Sequence, residues 1–125
     1  GFTALDSIED KSIGLVILFG FLHELSNRKE FLSKLRSKLA YKYLVVVSDN
    51  DLYFTPNVLH QDFIECGYNG NCYSRFFNIF GLHFFRIIQK KIFKSRIVLS
   101  FMSGRADNIV GCYSSDRNLL KSYPI

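Results

Sequence analysis

The stretch Gly14 to Gly20, GLVILFG, is apolar without alternation and closes on a glycine. A run of that kind predicts a strand buried on both faces of a parallel sheet, because period-two alternation is lost when neither face meets water. After Leu22, His23, Glu24 and Leu25 the pattern changes to SNRKEFLSKLRSKLA. Here Phe31, Leu32, Leu35 and Leu39 fall on one helical face, with Lys29, Glu30, Lys34, Arg36 and Lys38 elsewhere, so an amphipathic helix is expected. Asn27, followed three places on by Glu30, supplies its capping box. The segment Tyr43 to Ser48, YLVVVS, reads as a second buried strand, ended by the polar turn Asp49, Asn50, Asp51.

Strand, helix and strand with short connections make a βαβ unit, whose two strands run parallel as neighbours. Their carboxyl ends then lie side by side. Ligands of open α/β sheets bind outside those ends, so Phe19 to His23 and Ser48 to Asp51 face the expected site. Further on, Thr55 and Pro56 open a second helix, Val58, Leu59, Phe63 and Cys66 line one side of it, and Gly67 stops it. Asn69, Gly70 and Asn71 form a turn in this reading. CYSRFFNIFGLHFFRIIQKK then gives two aromatic-rich strands about Gly81, an antiparallel hairpin. From Ile92 the pattern weakens: IVLSFM suits a short strand or a helix, and SGRADN is loop-like. Without repeats or a linker, residues 1–125 make one domain, with 92–125 as an extension whose structure the pattern leaves open.

Composition adds little chemistry but excludes several classes. Thirteen Phe and seven Tyr without Trp fit sheet-rich packing, and a formal charge of +5 favours anionic partners. Basic residues bunch at Arg86, Lys90, Lys91, Lys94 and Arg96. Three cysteines, Cys66, Cys72 and Cys112, form no CxxC pair, and His60, Cys66 and Cys72 match no familiar ligand spacing, so neither a disulfide framework nor a metal site is expected. The apolar run Ile13 to Leu22 is shorter than the ~20 residues that cross a bilayer, and acidic residues precede it. A soluble, cytoplasmic protein without a membrane partner is the expectation. No Walker loop, GxSxG, HExxH, kinase signature or EF-hand loop occurs.

Three features lead to a family likeness: Asp10, Lys11, Ser12, Ile13 and Gly14 before the first strand, the Leu22, His23, Glu24, Leu25 turn after it, and the acidic Asp49 ending the next. In this order they resemble the middle of a class I S-adenosylmethionine-dependent methyltransferase. The specific part spans Asp10 to Asp49, and the weaker likeness reaches residue 90. The resemblance implies a partial Rossmann-like α/β fold: a parallel βαβ unit, a helix and an antiparallel hairpin (Tyr73 to Gln89) as the family's sixth and seventh strands. It implies methyl transfer from S-adenosylmethionine to a small molecule or tRNA, by a truncated or degenerate member. Gly14 stands where an aspartate is customary, and the family's glycine-rich cofactor loop has no counterpart. On this likeness the family's N-terminal cofactor-binding half is expected to be missing, which puts cofactor binding by this chain alone in doubt.

On this likeness His23 and Asp49 are the catalytic candidates, a histidine just past a central strand being suited to acid or base work. Phe19, Gly20, Phe21 and Leu22 would line the cofactor, and Asn50 and Tyr53 the substrate; Phe54 and Tyr68 are further aromatic candidates for the substrate wall. His60 and His83 receive no role. Without the family's first strand, the strand 14 to 20 would have a bare edge, which invites pairing with another chain. A homo-oligomer or a missing N-terminal segment is the resulting expectation. Two other functions compete: a noncatalytic interaction module pairing through that edge, and an RNA-binding protein using the basic hairpin from Arg75 to Arg96.

Overall fold

A computed structural model describes residues 3–74, 97–102 and 109–116. A short helix α1 (Thr3–Asp6) leads to strand β1 (Ile13–Phe19), a 3-10 turn (Leu22–Glu24), helix α2 (Arg28–Lys38) and strand β2 (Leu39–Asp49). Helix α3 (Pro56–Glu65) and strands β3 (Gly70–Ser74), β4 (Ile97–Met102) and β5 (Ile109–Ser114) follow. The strands form one five-stranded mixed sheet in the order β3, β5, β2, β1, β4.

The expected βαβ unit is present. β1 and β2 pair in parallel, with Leu18 opposite Val47 and Phe19 opposite Ser48. Helix α2 starts where its cap predicts: Asn27 Oδ1 accepts the Glu30 amide at 3.1 Å, and Asn27 Nδ2 donates to Glu30 Oε2 at 3.2 Å. Such a cap contributes roughly 1 kcal/mol. Thr55 caps α3 in the same way, its hydroxyl accepting the Val58 amide at 3.2 Å. Gly67, at φ 89°, lies in the left-handed region that ends a helix.

The core is built on one face of the sheet. Val16 and Leu18 of β1 and Val45 and Val47 of β2 meet Phe31, Leu32 and Leu35 of α2 and Leu59 and Phe63 of α3. The alternate residues Leu15, Leu44 and Val46 are buried too, as the unbroken apolar runs require. Each such side chain, fully withdrawn from water, contributes about 1.5–3 kcal/mol. Arg28 Nε donates to Asp62 Oδ2 at 2.9 Å and its guanidinium lies 4.8 Å from the Phe54 ring centroid, so one side chain ties α2 both to α3 and to the chain after β2.

Four expectations need correction. β2 is longer than Tyr43 to Ser48: it takes over directly from α2 at Leu39 and includes Asp49. The turn expected at Asn69, Gly70 and Asn71 is instead the start of β3, because Gly70 and Asn71 pair with Tyr113 and Cys112. The antiparallel partner of β3 is β5, from the segment whose structure the pattern left open, whereas the rest of the expected hairpin about Gly81 and the basic cluster lie outside the described residues. Finally, the edge of β1 is not bare. β4 pairs with it in parallel from Ile97 opposite Ile13 to Met102 opposite Phe19. The backbone groups of a buried strand need partners on both sides, and an apolar, β-branched segment from far along the chain supplies them. Self-association through a naked β1 therefore has no structural basis.

Cys112 sits in β5 opposite Val46, 3 % exposed, and burial pushes its thiol up to about 12. Burial raises the Tyr68 and Tyr43 hydroxyls as well. An unfolded thiol ionises near about 8.5 and a phenol near about 10, so at alkaline pH the unfolded chain releases protons that the folded chain keeps. Stability is therefore expected to be fully present below pH ~8.5 and to fall as pH rises toward ~12. Urea melts at successive pH values check this, and Cys112 is expected to resist iodoacetamide until the protein unfolds. Rapid alkylation under native conditions would contradict the burial assigned to it.

Candidate active site

The carboxyl ends of β1 and β2 build the site. One residue past β1, the Gly20 amide still donates to the Ser48 carbonyl at 2.8 Å, and at φ 61° Gly20 turns the chain away. The 3-10 turn that follows is closed by Glu24 N donating to Phe21 O at 3.1 Å and Leu25 N to Leu22 O at 3.2 Å. Leu22 is buried beneath this turn, and Phe21 packs on Phe31 and Phe101, with centroids 5.2 and 4.7 Å away. With its neighbours held on both sides, His23 is aimed across the end of β2.

There it meets Asp49. His23 Nδ1 lies 2.6 Å from Asp49 Oδ1, and the His23 amide donates to Asp49 Oδ2 at 3.3 Å. The Asn50 amide donates to Asp49 Oδ1 at 2.8 Å. The Asp49 side chain is fully buried and that of His23 11 % exposed, so solvent reaches the imidazole and not the carboxylate. An ionised carboxylate can only accept, so the Nδ1 contact places a proton on Nδ1 and leaves Nε2 as the acceptor of the neutral ring. One face of that ring is covered by Tyr53, stacked at 4.5 Å between centroids and 10° between planes.

The loop that carries Tyr53 is braced at both ends. Asn50 is buried, and its side-chain carbonyl accepts the Leu52 amide at 2.9 Å. Phe54 is buried under the Arg28 guanidinium. Between them Leu52 and Tyr53 stand 78 % and 63 % exposed, forming an apolar lip beside the imidazole.

Of the residues singled out from the sequence, His23, Asp49 and Tyr53 come together here, with Asn50 supporting them. Phe19 and Gly20 lie at the end of β1, while Phe21 and Leu22 are packed inward. Tyr68 is far from this group in function: it is buried and donates to the Leu32 carbonyl at 2.8 Å. His60, which had no partner in the sequence reading, bonds the Tyr113 hydroxyl at 2.9 Å, and His83 lies outside the described residues. Among the described residues no group of His, Cys, Asp and Glu could hold a metal ion, and no helix is long and apolar enough to cross a membrane. Sequence reasoning missed Arg28 and Asp62, because a charge pair 34 residues apart leaves no local spacing to read.

No protein-family model and no curated protein matches the chain. Solved structures do. An S-adenosylmethionine-dependent methyltransferase from Archaeoglobus fulgidus superposes with a TM-score of 0.55 at 18 % identity, over 91 % of this chain and 64 % of that one. A Thermotoga maritima S-adenosylmethionine-dependent methyltransferase, described as a possible histamine N-methyltransferase, superposes at 0.54 and 10 % identity, over 88 % and 59 % of the two chains. The fold is that of a class I S-adenosylmethionine-dependent methyltransferase. The chain spans about three fifths of the length of these neighbours. In the methyltransferase fold, His23 and Asp49 occupy the strand ends where open α/β sheets place their ligands.

The described residues fit the cofactor only in part. Phe19 and Gly20 lie at the strand end, whereas Phe21 and Leu22 are packed inward, and none of the four carries a charged group for an amino-acid moiety or a carboxylate for a ribose. The Asp49 side chain is fully buried and turned to His23 and Asn50, so it does not face a ribose.

Proposed function

We propose that this chain supplies the acceptor-handling part of an S-adenosylmethionine-dependent methyltransferase, acting on a small molecule or tRNA. The observation that carries the reading is the His23 to Asp49 contact at the joined ends of two parallel strands. S-Adenosylmethionine, when bound, supplies an electrophilic methyl group. The chain's own contribution concerns the acceptor: His23 Nε2 takes the proton from an attacking N–H or O–H, and Asp49 stabilises the imidazolium that results. Leu52 and Tyr53 hold apolar parts of the acceptor and exclude water from the ring edge. Because methyl transfer is an in-line displacement, positioning carries much of the rate and the base adds to it. Phe19, Gly20, Phe21 and Leu22 do not themselves supply the polar grip on the cofactor.

Transfer of a tritiated methyl group from S-adenosylmethionine, with histamine and unmodified tRNA as trial acceptors, tests this. His23→Ala is expected to lower the rate by about 10²–10⁴-fold and, because it takes one donor from the buried Asp49 carboxylate, to cost about 1–3 kcal/mol of stability as well, so the rates are compared at a temperature where both proteins are folded. Calorimetry that detects no S-adenosylmethionine binding at millimolar concentration would sink the catalytic reading.

A further inference from the structure

A second concave site lies at the opposite end of the sheet. It is a groove of about 670 Å³ whose lining includes Lys11, Arg36, Tyr41, Lys42, Ser115 and Asp116. Lys11 precedes β1, Tyr41 and Lys42 lie near the start of β2, and Ser115 follows the antiparallel β5. With β1 seven residues long at about 3.3 Å each, this groove is roughly 20 Å from His23.

The groove exists because the register of β1 and β2 breaks. From Ile13 to Leu15 β1 advances two residues, whereas their partners in β2, Leu39 and Leu44, are five apart. The excess backbone bulges from the sheet and carries Tyr41 and Lys42 with it. Bulges of this kind re-aim side chains. Tyr41 is 95 % exposed, with nearly its whole ring in water, although Leu39, Ala40 and Tyr43 around it are buried. Below the bulge the backbone is fixed: the Tyr43 amide donates to Ser115 Oγ at 3.2 Å, and Ser114 Oγ donates to the Tyr43 carbonyl at 2.5 Å. The solvated ring therefore stands on a rigid floor.

The charges in the groove favour an anion. Lys11, Arg36 and Lys42 face one carboxylate, Asp116, whose contact with Lys42 is a long 3.7 Å. Arg36 is held in place by donating Nε to the Gly67 carbonyl at 3.1 Å and lying 4.9 Å from the Tyr43 ring centroid. Lys11 is held by its amide, which donates to the Ser37 carbonyl at 3.3 Å. That contact places it at the C-terminus of α2, whose dipole amounts to about half a negative charge. Two net positive charges outweigh it.

From this combination we infer that the groove binds a nucleotide unit, its phosphate among Lys11, Arg36 and Lys42 and its base stacked on Tyr41. An exposed aromatic ring beside cations is the arrangement by which single strands are held without sequence preference. The volume lies within the roughly 300–1,000 Å³ usual for small-ligand sites. The unit can come from a free nucleotide or from a single-stranded RNA, and both share this chemistry. The inference does not rest on the methyltransferase reading, which concerns the other end of the sheet.

Fluorescence anisotropy of a labelled short oligouridylate, with unlabelled uridine monophosphate as competitor, decides the matter. Tyr41→Ala is expected to weaken binding on the order of ten-fold. Lys11→Glu and Lys42→Glu should each lower the salt slope of log affinity by about 0.7 or more. Competition by uridine monophosphate at similar concentrations identifies a free nucleotide as the source, and tight binding of the strand alone identifies RNA. A Lys90→Gln/Lys94→Gln variant is the control for the basic cluster. Since all three groove variants alter exposed positions, unchanged circular dichroism melts verify the fold. Wild-type affinity in all three, or loss confined to the control variant, overturns the inference.

Discussion

Asp49→Ala is expected to destabilise the protein by about 2–4 kcal/mol and to abolish the ordered orientation of His23. Three donors converge on this carboxylate: His23 Nδ1 and the amides of His23 and Asn50. Leaving a buried donor without a partner costs about 1–3 kcal/mol, against which the removal of a buried charge returns part. Three donors against one relieved carboxylate make the net effect unfavourable. Asp49→Asn separates stability from chemistry. With its carbonyl in the Oδ1 place it can still accept from His23 Nδ1 and the Asn50 amide, so the loss of stability should shrink to about 1 kcal/mol. Its NH2 in the Oδ2 place faces the His23 amide without accepting from it, and the neutral side chain no longer stabilises the imidazolium by charge. Methyl transfer should therefore fall by about 10²–10⁴-fold in Asp49→Asn even where the melt is close to wild type. The two variants behaving alike in both assays would show that the carboxylate only holds the turn.

The local parts of this fold were readable because their signals are local. The β1, α2, β2 unit follows from two unbroken apolar runs around an amphipathic segment, and Asn27, Thr55 and Gly67 mark helix ends by side-chain chemistry that acts within four residues. The same unit placed His23 and Asp49 at neighbouring strand ends facing one site, but that the two side chains bond each other at 2.6 Å was not legible in the sequence. What escaped was set by contacts between distant segments. Ile97–Met102 reads equally as strand or helix until β1 offers it a partner, and nothing within the segment names that partner. β5 likewise becomes a strand between β2 and β3 through pairings that span tens of residues. The bulge carrying Tyr41 is a mismatch between two strands, and a mismatch is invisible in either one alone. Propensity sets what a segment can be; the sheet selects among those options.

Gly70 has no room for a side chain, and Gly70→Ala is expected to cost about 3–5 kcal/mol with loss of β3 from the sheet. Gly70 pairs with Tyr113, and a Cβ there would fall 2.0 Å from the Cys112 carbonyl oxygen and 2.7 Å from the Tyr113 Cα. Both are backbone atoms of β5, so no rotamer change relieves the clash and the strands must part. Tyr113 then loses its place in the aromatic cluster, where it stacks on Phe63 at 4.0 Å and meets Tyr68 edge-on at 6.2 Å. Gly67→Ala provides the comparison. At φ 89° it strains the backbone, but its Cβ would meet nothing within 4 Å, so about 1–2 kcal/mol is expected. Urea melts of the two variants should differ by a factor of two or more in lost stability, and amide exchange should quicken across residues 70–74 only in Gly70→Ala. Equal losses from both substitutions would mean that β3 and β5 do not approach as closely as this register requires.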